Sequence, residues 1–134
     1  MPKELSTGSR LGGYSIERVV TKDGLAITYA AEQVEGGRSC RLTVFHNVDP
    51  DADPWRRFTR ECEQLRALGQ PSIPETLEVA ATPDGVAYFA VALPEGEDLA
   101  SRLRRTGALT TREALAMARQ LAAALHAAHS IDIL

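Results

Sequence analysis

A chain of 134 residues is one domain's worth, long enough to bury a core and short for two. Its 44% apolar and 25% charged residues exclude a disordered chain, and a formal net charge of -3 with scattered basic residues leaves nucleic acid nothing to hold. No run approaches the roughly 18 apolar residues of a membrane helix, and the N-terminus shows no apolar signal segment, so a cytoplasmic location is expected.

Taken in order, Met1 to Arg10 is polar and reads as a flexible arm, with Leu11-Gly12-Gly13 as a turn. Tyr14 to Val20 alternates apolar and polar residues as a first strand. Lys22-Asp23-Gly24 carries a hairpin signal, and Ala26 to Gln33 returns as a second strand. Glu35-Gly36-Gly37 turns the chain into Arg38 to Phe45, where Arg41 and Thr43 fall on one face and Cys40, Leu42 and Val44 on the other. These three strands make an antiparallel meander.

The acidic stretch Asp49 to Asp53 and Pro54 then open a helix, whose first turn favours negative charge. Trp55, Phe58, Cys62, Leu65 and Leu68 recur at three- and four-residue steps, and Gly69 closes the helix. Beyond Pro71 and Pro74, Glu75 to Ala81 and Val86 to Leu93 read as two strands about Pro83-Asp84-Gly85, and Pro94-Glu95-Gly96 ends the sheet. Glu97 to Arg105 is a short helix. Thr110 with Glu113 three residues on resembles a capping box for a longer helix from Thr111 to about Ser130. The fold class is therefore α+β, a five-stranded antiparallel sheet with one helix inserted and two helices after it.

Several stretches then carry a family likeness: Tyr14-Ser-Ile-Glu-Arg-Val-Val20, Tyr29-Ala-Ala31, Phe58-Thr-Arg-Glu61, Tyr88-Phe-Ala-Val-Ala-Leu-Pro-Glu-Gly96, Leu99 to Leu109 and Ala123-Ala-Leu-His-Ala-Ala-His129. Their order and spacing resemble bacterial serine/threonine protein kinases of the eukaryotic type. The resemblance implies a flexible arm over 1–10, a kinase-like small lobe over 11–93, and a hinge with the first helices of a large lobe over 94–134.

It also implies a nucleotide cleft, and at the glycine, valine, alanine and lysine positions the residue differs while the helix glutamate is retained. The family covers the nucleotide phosphates with a Gly-x-Gly-x-x-Gly-x-Val loop. In register with it stand Thr21, Asp23 and Ala26 at the glycine positions and Thr28 at the valine position. The family's Val-Ala-x-Lys lies on Cys40-Arg41-Leu42-Thr43, so Thr43 replaces the phosphate-pairing lysine and Arg41 the small roof of the adenine pocket. Val91 completes this degenerate cleft. The helix glutamate that partners the lysine corresponds to Glu61, and Arg41 is expected to pair with it, since a partly buried carboxylate left alone is costly.

The resemblance further places the His-Arg-Asp catalytic loop, the magnesium-binding Asn and the Asp-Phe-Gly beyond Ser130 to Leu134. The expectation is accordingly a non-catalytic, pseudokinase-like module that is no enzyme as given, holds no cofactor, and acts as a protein-binding scaffold or regulator. The alternative is the N-terminal part of a kinase whose catalytic half lies elsewhere, which would use ATP and magnesium. An unrelated α+β adaptor is a third reading.

Partner binding is expected on the apolar stripe Leu115, Ala118, Leu121, Ala122, Leu125 and Ala128 of the last helix, against another protein or a second copy. Other residues carry plainer expectations. His126 and His129 suit a helix C-terminus better than a metal, and His46 reads as solvated. Arg102, Arg104 and Arg105 read as a solvated face, Trp55 as the cap of its helix against the sheet, and Cys40 and Cys62 as buried thiols too few for a metal site.

Overall fold

Period-two alternation builds one antiparallel sheet in the computed structural model, which describes residues 3–93 and 95–134. Strands β1 (Arg10–Leu11), β2 (Tyr14–Lys22), β3 (Ala26–Gln33) and β4 (Ser39–Phe45) precede helix α1 (Asp53–Leu68), and β5 (Thr76–Ala81) and β6 (Ala87–Ala92) follow it. Helices α2 (Leu99–Thr106) and α3 (Thr111–His129) end the chain. The strand order is β1-β2-β3-β4-β6-β5. Met1, Pro2 and Pro94 lie outside the described residues.

The sheet has six strands where five were expected. Arg10 and Leu11 pair with Ser15 and Tyr14, so the Leu11-Gly12-Gly13 turn is the tip of one more hairpin. Gly12 has φ +53, and a Cβ there would stand 2.8 Å from the Tyr88 hydroxyl, so conformation and close approach both select glycine. The stretch read as a flexible arm is tied down as well. Gly8 N donates to Ile16 O at 2.7 Å, Ile16 N to Ser9 O at 2.9 Å, and Leu5 N to the Tyr29 hydroxyl at 3.0 Å. Backbone groups at a sheet edge find partners in this way whatever the polarity of the side chains.

One sheet face carries the core. Cys40, Leu42 and Val44 are buried there with Tyr14, Ile16, Ile27, Tyr29 and Tyr88. Each fully buried large side chain contributes about 1.5–3 kcal/mol. Burial pushes the Tyr14 hydroxyl up to about 12, with Glu78 adding to it, and the Tyr88 hydroxyl donates to that same carboxylate.

Helix α1 packs on the opposite face through aromatic edges. Phe45 meets Trp55 at 5.5 Å and Phe58 at 5.8 Å, and Phe58 meets Phe89 at 5.4 Å. Pro54 begins the helix and Gly69, at φ +63, ends it in the left-handed conformation. Cys62 is buried on this helix, and desolvation pushes both its thiol and that of Cys40 up to about 11.

The last two helices are set mainly by their caps. The Asp98 carboxylate accepts from Ser101 N at 2.7 Å to begin α2. At α3 both halves of the capping box form: Glu113 N donates to Thr110 Oγ1 at 3.2 Å, and Thr110 N donates to the Glu113 carboxylate at 2.9 Å. Arg102 reaches Glu113 at 2.6 Å and so ties α2 to α3, while Arg105 holds Glu97. Arg102 is thus a bridging group between helices, while Arg104 and Arg105 stay on the solvated face expected of the cluster.

Candidate functional site

Strand pairing brings most of the sequence-identified cleft residues onto one face. Thr21 lies opposite Thr28, Thr28 opposite Thr43, and Thr43 opposite Phe89, which makes one row across four strands. In the adjacent row Ala30 lies opposite Arg41, and Arg41 opposite Val91. Residues directly opposite in antiparallel strands share a face. The Thr28 and Thr43 hydroxyls are 3.0 Å apart and satisfy one another. Where the family would hold a valine and a lysine, this face therefore presents two uncharged hydroxyls bonded to each other. Ala26 sits at the start of β3, buried, opposite Phe45.

Arg41 and Glu61 are not brought together, and the pair expected between them is corrected. Glu61 accepts from Arg57 Nε at 3.1 Å, one turn back along its own helix. Helix α1 packs over Phe45 and Phe89, at the Thr43 end of β4, and Arg41 lies one row further along. Arg41 Nη1 is left buried with no hydrogen-bond partner among the described residues. On the side of α2, Asp98 is held below the usual carboxylate range first by its bond from Ser101 N and, weakly, by the charge of Arg41.

Asp23 does more than place a negative charge in the loop. Its Oδ1 accepts from Leu25 N at 2.7 Å and Ala26 N at 2.9 Å, and these bonds hold its carboxyl below the ordinary range. An Asp at the head of a short turn bonds the backbone two residues on, so the signal was present in Asp23-Gly24. His46 was expected in solvent and is instead half-buried, its N donating to Leu25 O at 2.8 Å and its Nε2 buried without a partner among the described residues. Burial lowers its affinity for a proton.

On α3, Leu115, Leu121 and Leu125 are 59%, 63% and 55% exposed. Ala118 and Ala122 are exposed beside them, and Ala128 is half-buried. A hollow of about 610 Å³ lies along α1, lined by Asp53, Pro54, Arg56, Arg57, Phe58, Arg60 and Glu61. Among the described residues no three His, Cys, Asp or Glu side chains stand together as a metal site, and no helix is long and apolar enough to cross a membrane.

No family model matches the chain. It is 32% identical over 128 residues to the serine/threonine-protein kinase PknE of Mycobacterium bovis, an alignment covering 95% of this chain and 22% of that protein. It is 30% identical over 124 residues to the serine/threonine-protein kinase PknD of Mycobacterium tuberculosis, covering 92% of this chain and 18% of that one. Among solved structures, the Mycobacterium tuberculosis PknI kinase domain superposes with a TM-score of 0.75 at 27% identity, covering 98% of this chain and 53% of that domain. Over nearly all of its length this chain is similar to bacterial serine/threonine protein kinases. It corresponds to the small lobe and the beginning of the large lobe, and it spans about a fifth of the length of the curated relatives it matches.

These kinships overturn the expectation that the chain is no enzyme: the relatives it matches are kinases, and it superposes on about half of a kinase domain. The catalytic loop and magnesium ligands that the resemblance places beyond Leu134 fall in the other half of such a domain.

Proposed function

We propose that the chain is the N-terminal part of a serine/threonine protein kinase, supplying the sheet, the inserted helix and the first large-lobe helices of a domain whose phosphoryl-transfer residues lie in further sequence. The observation that carries this reading is the superposition of 98% of the chain on about half of a kinase domain. Phosphoryl transfer depends on positioning and electrostatic stabilisation of phosphate, with ATP and magnesium as the reactants such a domain uses.

The residues of this lobe do not fit ATP in the family's usual manner. Thr43 carries no charge and is bonded to Thr28, the buried nitrogen of Arg41 stands in the neighbouring row, and Asp23 occupies two N-H groups of the loop. The test is to express the longest open reading frame that contains this chain and follow transfer of the labelled γ-phosphate of ATP to protein. Transfer is expected, with the phosphates held by groups of the further sequence rather than by Thr43 or the β2–β3 turn, and a folded product that neither transfers label nor binds ATP contradicts the reading.

A second reading is favoured by the apolar face of α3, on which Leu115, Leu121 and Leu125 are exposed together. In this reading the lobe also acts by binding a protein, a second copy of itself included. Light scattering on the isolated chain tests it: self-association that Leu121→Ser reduces is expected, and a monomer at all concentrations with no bound protein contradicts it.

A further inference from the structure

The turn between β2 and β3 is closed by its own side chain. Asp23 N donates to Ala26 O at 3.0 Å, which leaves Gly24 and Leu25 as a two-residue tip. A single oxygen of the Asp23 carboxylate then accepts from Leu25 N at 2.7 Å and Ala26 N at 2.9 Å. Successive backbone N-H groups converging on one anionic oxygen form the kind of concavity in which loops hold phosphate. The far side of the turn is anchored, since Leu25 O accepts from His46 N at 2.8 Å at the end of β4. Lys22, the nearest cation in sequence, is engaged by Glu4 at 3.3 Å. The tip itself is open: a Cβ on Gly24 would meet nothing within 4 Å, and Asp23 is itself exposed, which leaves its side chain room to swing outward.

We propose that Asp23 is a built-in stand-in for a phosphate oxygen, occupying the N-H groups of Leu25 and Ala26 so that a polyphosphate binds this lobe only when Asp23 withdraws. The inference rests on the kinase reading for its location, because this turn falls where the family's glycine-rich loop covers the nucleotide. An incoming polyphosphate meets two occupied donors and a like charge, and both act in the same direction. The bonds from Leu25 N and Ala26 N also keep the Asp23 carboxyl ionised below the ordinary carboxylate range, so at neutral pH the stand-in is always an acceptor.

The experiment compares the wild-type chain with Asp23→Ala, which empties the two donors, and Asp23→Asn, which keeps an acceptor and removes the charge. Inorganic tripolyphosphate without magnesium is the probe, and the amide resonances of Leu25 and Ala26 are the readout. In Asp23→Ala those two amides should exchange faster with solvent, and tripolyphosphate should shift them with about tenfold or greater gain in affinity over wild type, Asp23→Asn falling between. Equal affinity in wild type and Asp23→Ala overturns the proposal, as does a failure of every variant to bind. Because neither probe nor readout involves phosphoryl transfer, this outcome is separate from that of the kinase reading, which the labelling of the longer product decides.

Discussion

The two ends of this chain are held by different physics. Across the sheet, strand pairing runs unbroken from β1 to β5, and Tyr29, Leu42 and Ile27 are fully buried. Helix α3 is the longest helix and has no buried residue; it is placed by its capping box and by the bond from Arg102 to Glu113. The first region meets its hydrophobic requirement within itself. The second has formed its local structure and still presents its apolar side chains to water, as a helix does when the surface it packs on belongs to other sequence.

Core substitution should break this contrast most forcefully. Leu42→Ala, at 0% exposure, should lose about 2–5 kcal/mol in urea unfolding followed by Trp55 fluorescence, while Leu121→Ser on α3 should stay within about 0.5 kcal/mol. A comparable loss at both positions would erase the distinction between the two regions. Thr110→Ala removes half of the capping box and should cost about 1 kcal/mol, confined to α3 amides in hydrogen exchange.

Acid probes the same cap. Glu113 is held below its ordinary value of 4.5, chiefly by the bond from Thr110 N, so its stabilising contribution is complete above that value and is lost as pH falls through the lower folded value. Far-ultraviolet circular dichroism should accordingly show helix loss on acidification that Glu113→Gln flattens. The thiols sharpen the contrast from the other side. With Cys40 and Cys62 buried and pushed up to about 11, iodoacetamide at neutral pH should label neither in the folded chain and both in urea; ready labelling of the native chain would show that the sheet opens. The smallest effect is expected at Arg41→Leu, which removes a buried nitrogen without a partner and should leave the melting temperature unchanged or slightly raised.

Where local signals and tertiary demands agreed, the sequence was readable. Ala26 to Gln33 has its strand bounds in the structure because Asp23-Gly24 and Gly36-Gly37 turn the chain on either side of a largely apolar run. Thr110 and Glu113 announced the start of α3, and alternation put Arg41 and Thr43 on the face opposite Leu42. Strand β1 was hidden because two residues are too few to show a period. The rows of the cleft followed once strand pairing was known, but side-chain partners did not. Glu61 had Arg57 within one helical turn, a choice that depends on rotamers and distances, and His46 is buried by a turn whose folding over it leaves no periodic trace.

Residue-resolved hydrogen exchange, run on this chain alone and again on the longest open reading frame containing it, tests the central claim most directly. As part of a kinase domain, the chain should show sheet amides protected alike in both, while α3 amides gain protection by orders of magnitude in the longer product. Equal protection of α3 in the two, or a sheet that orders only in the longer one, would contradict the account.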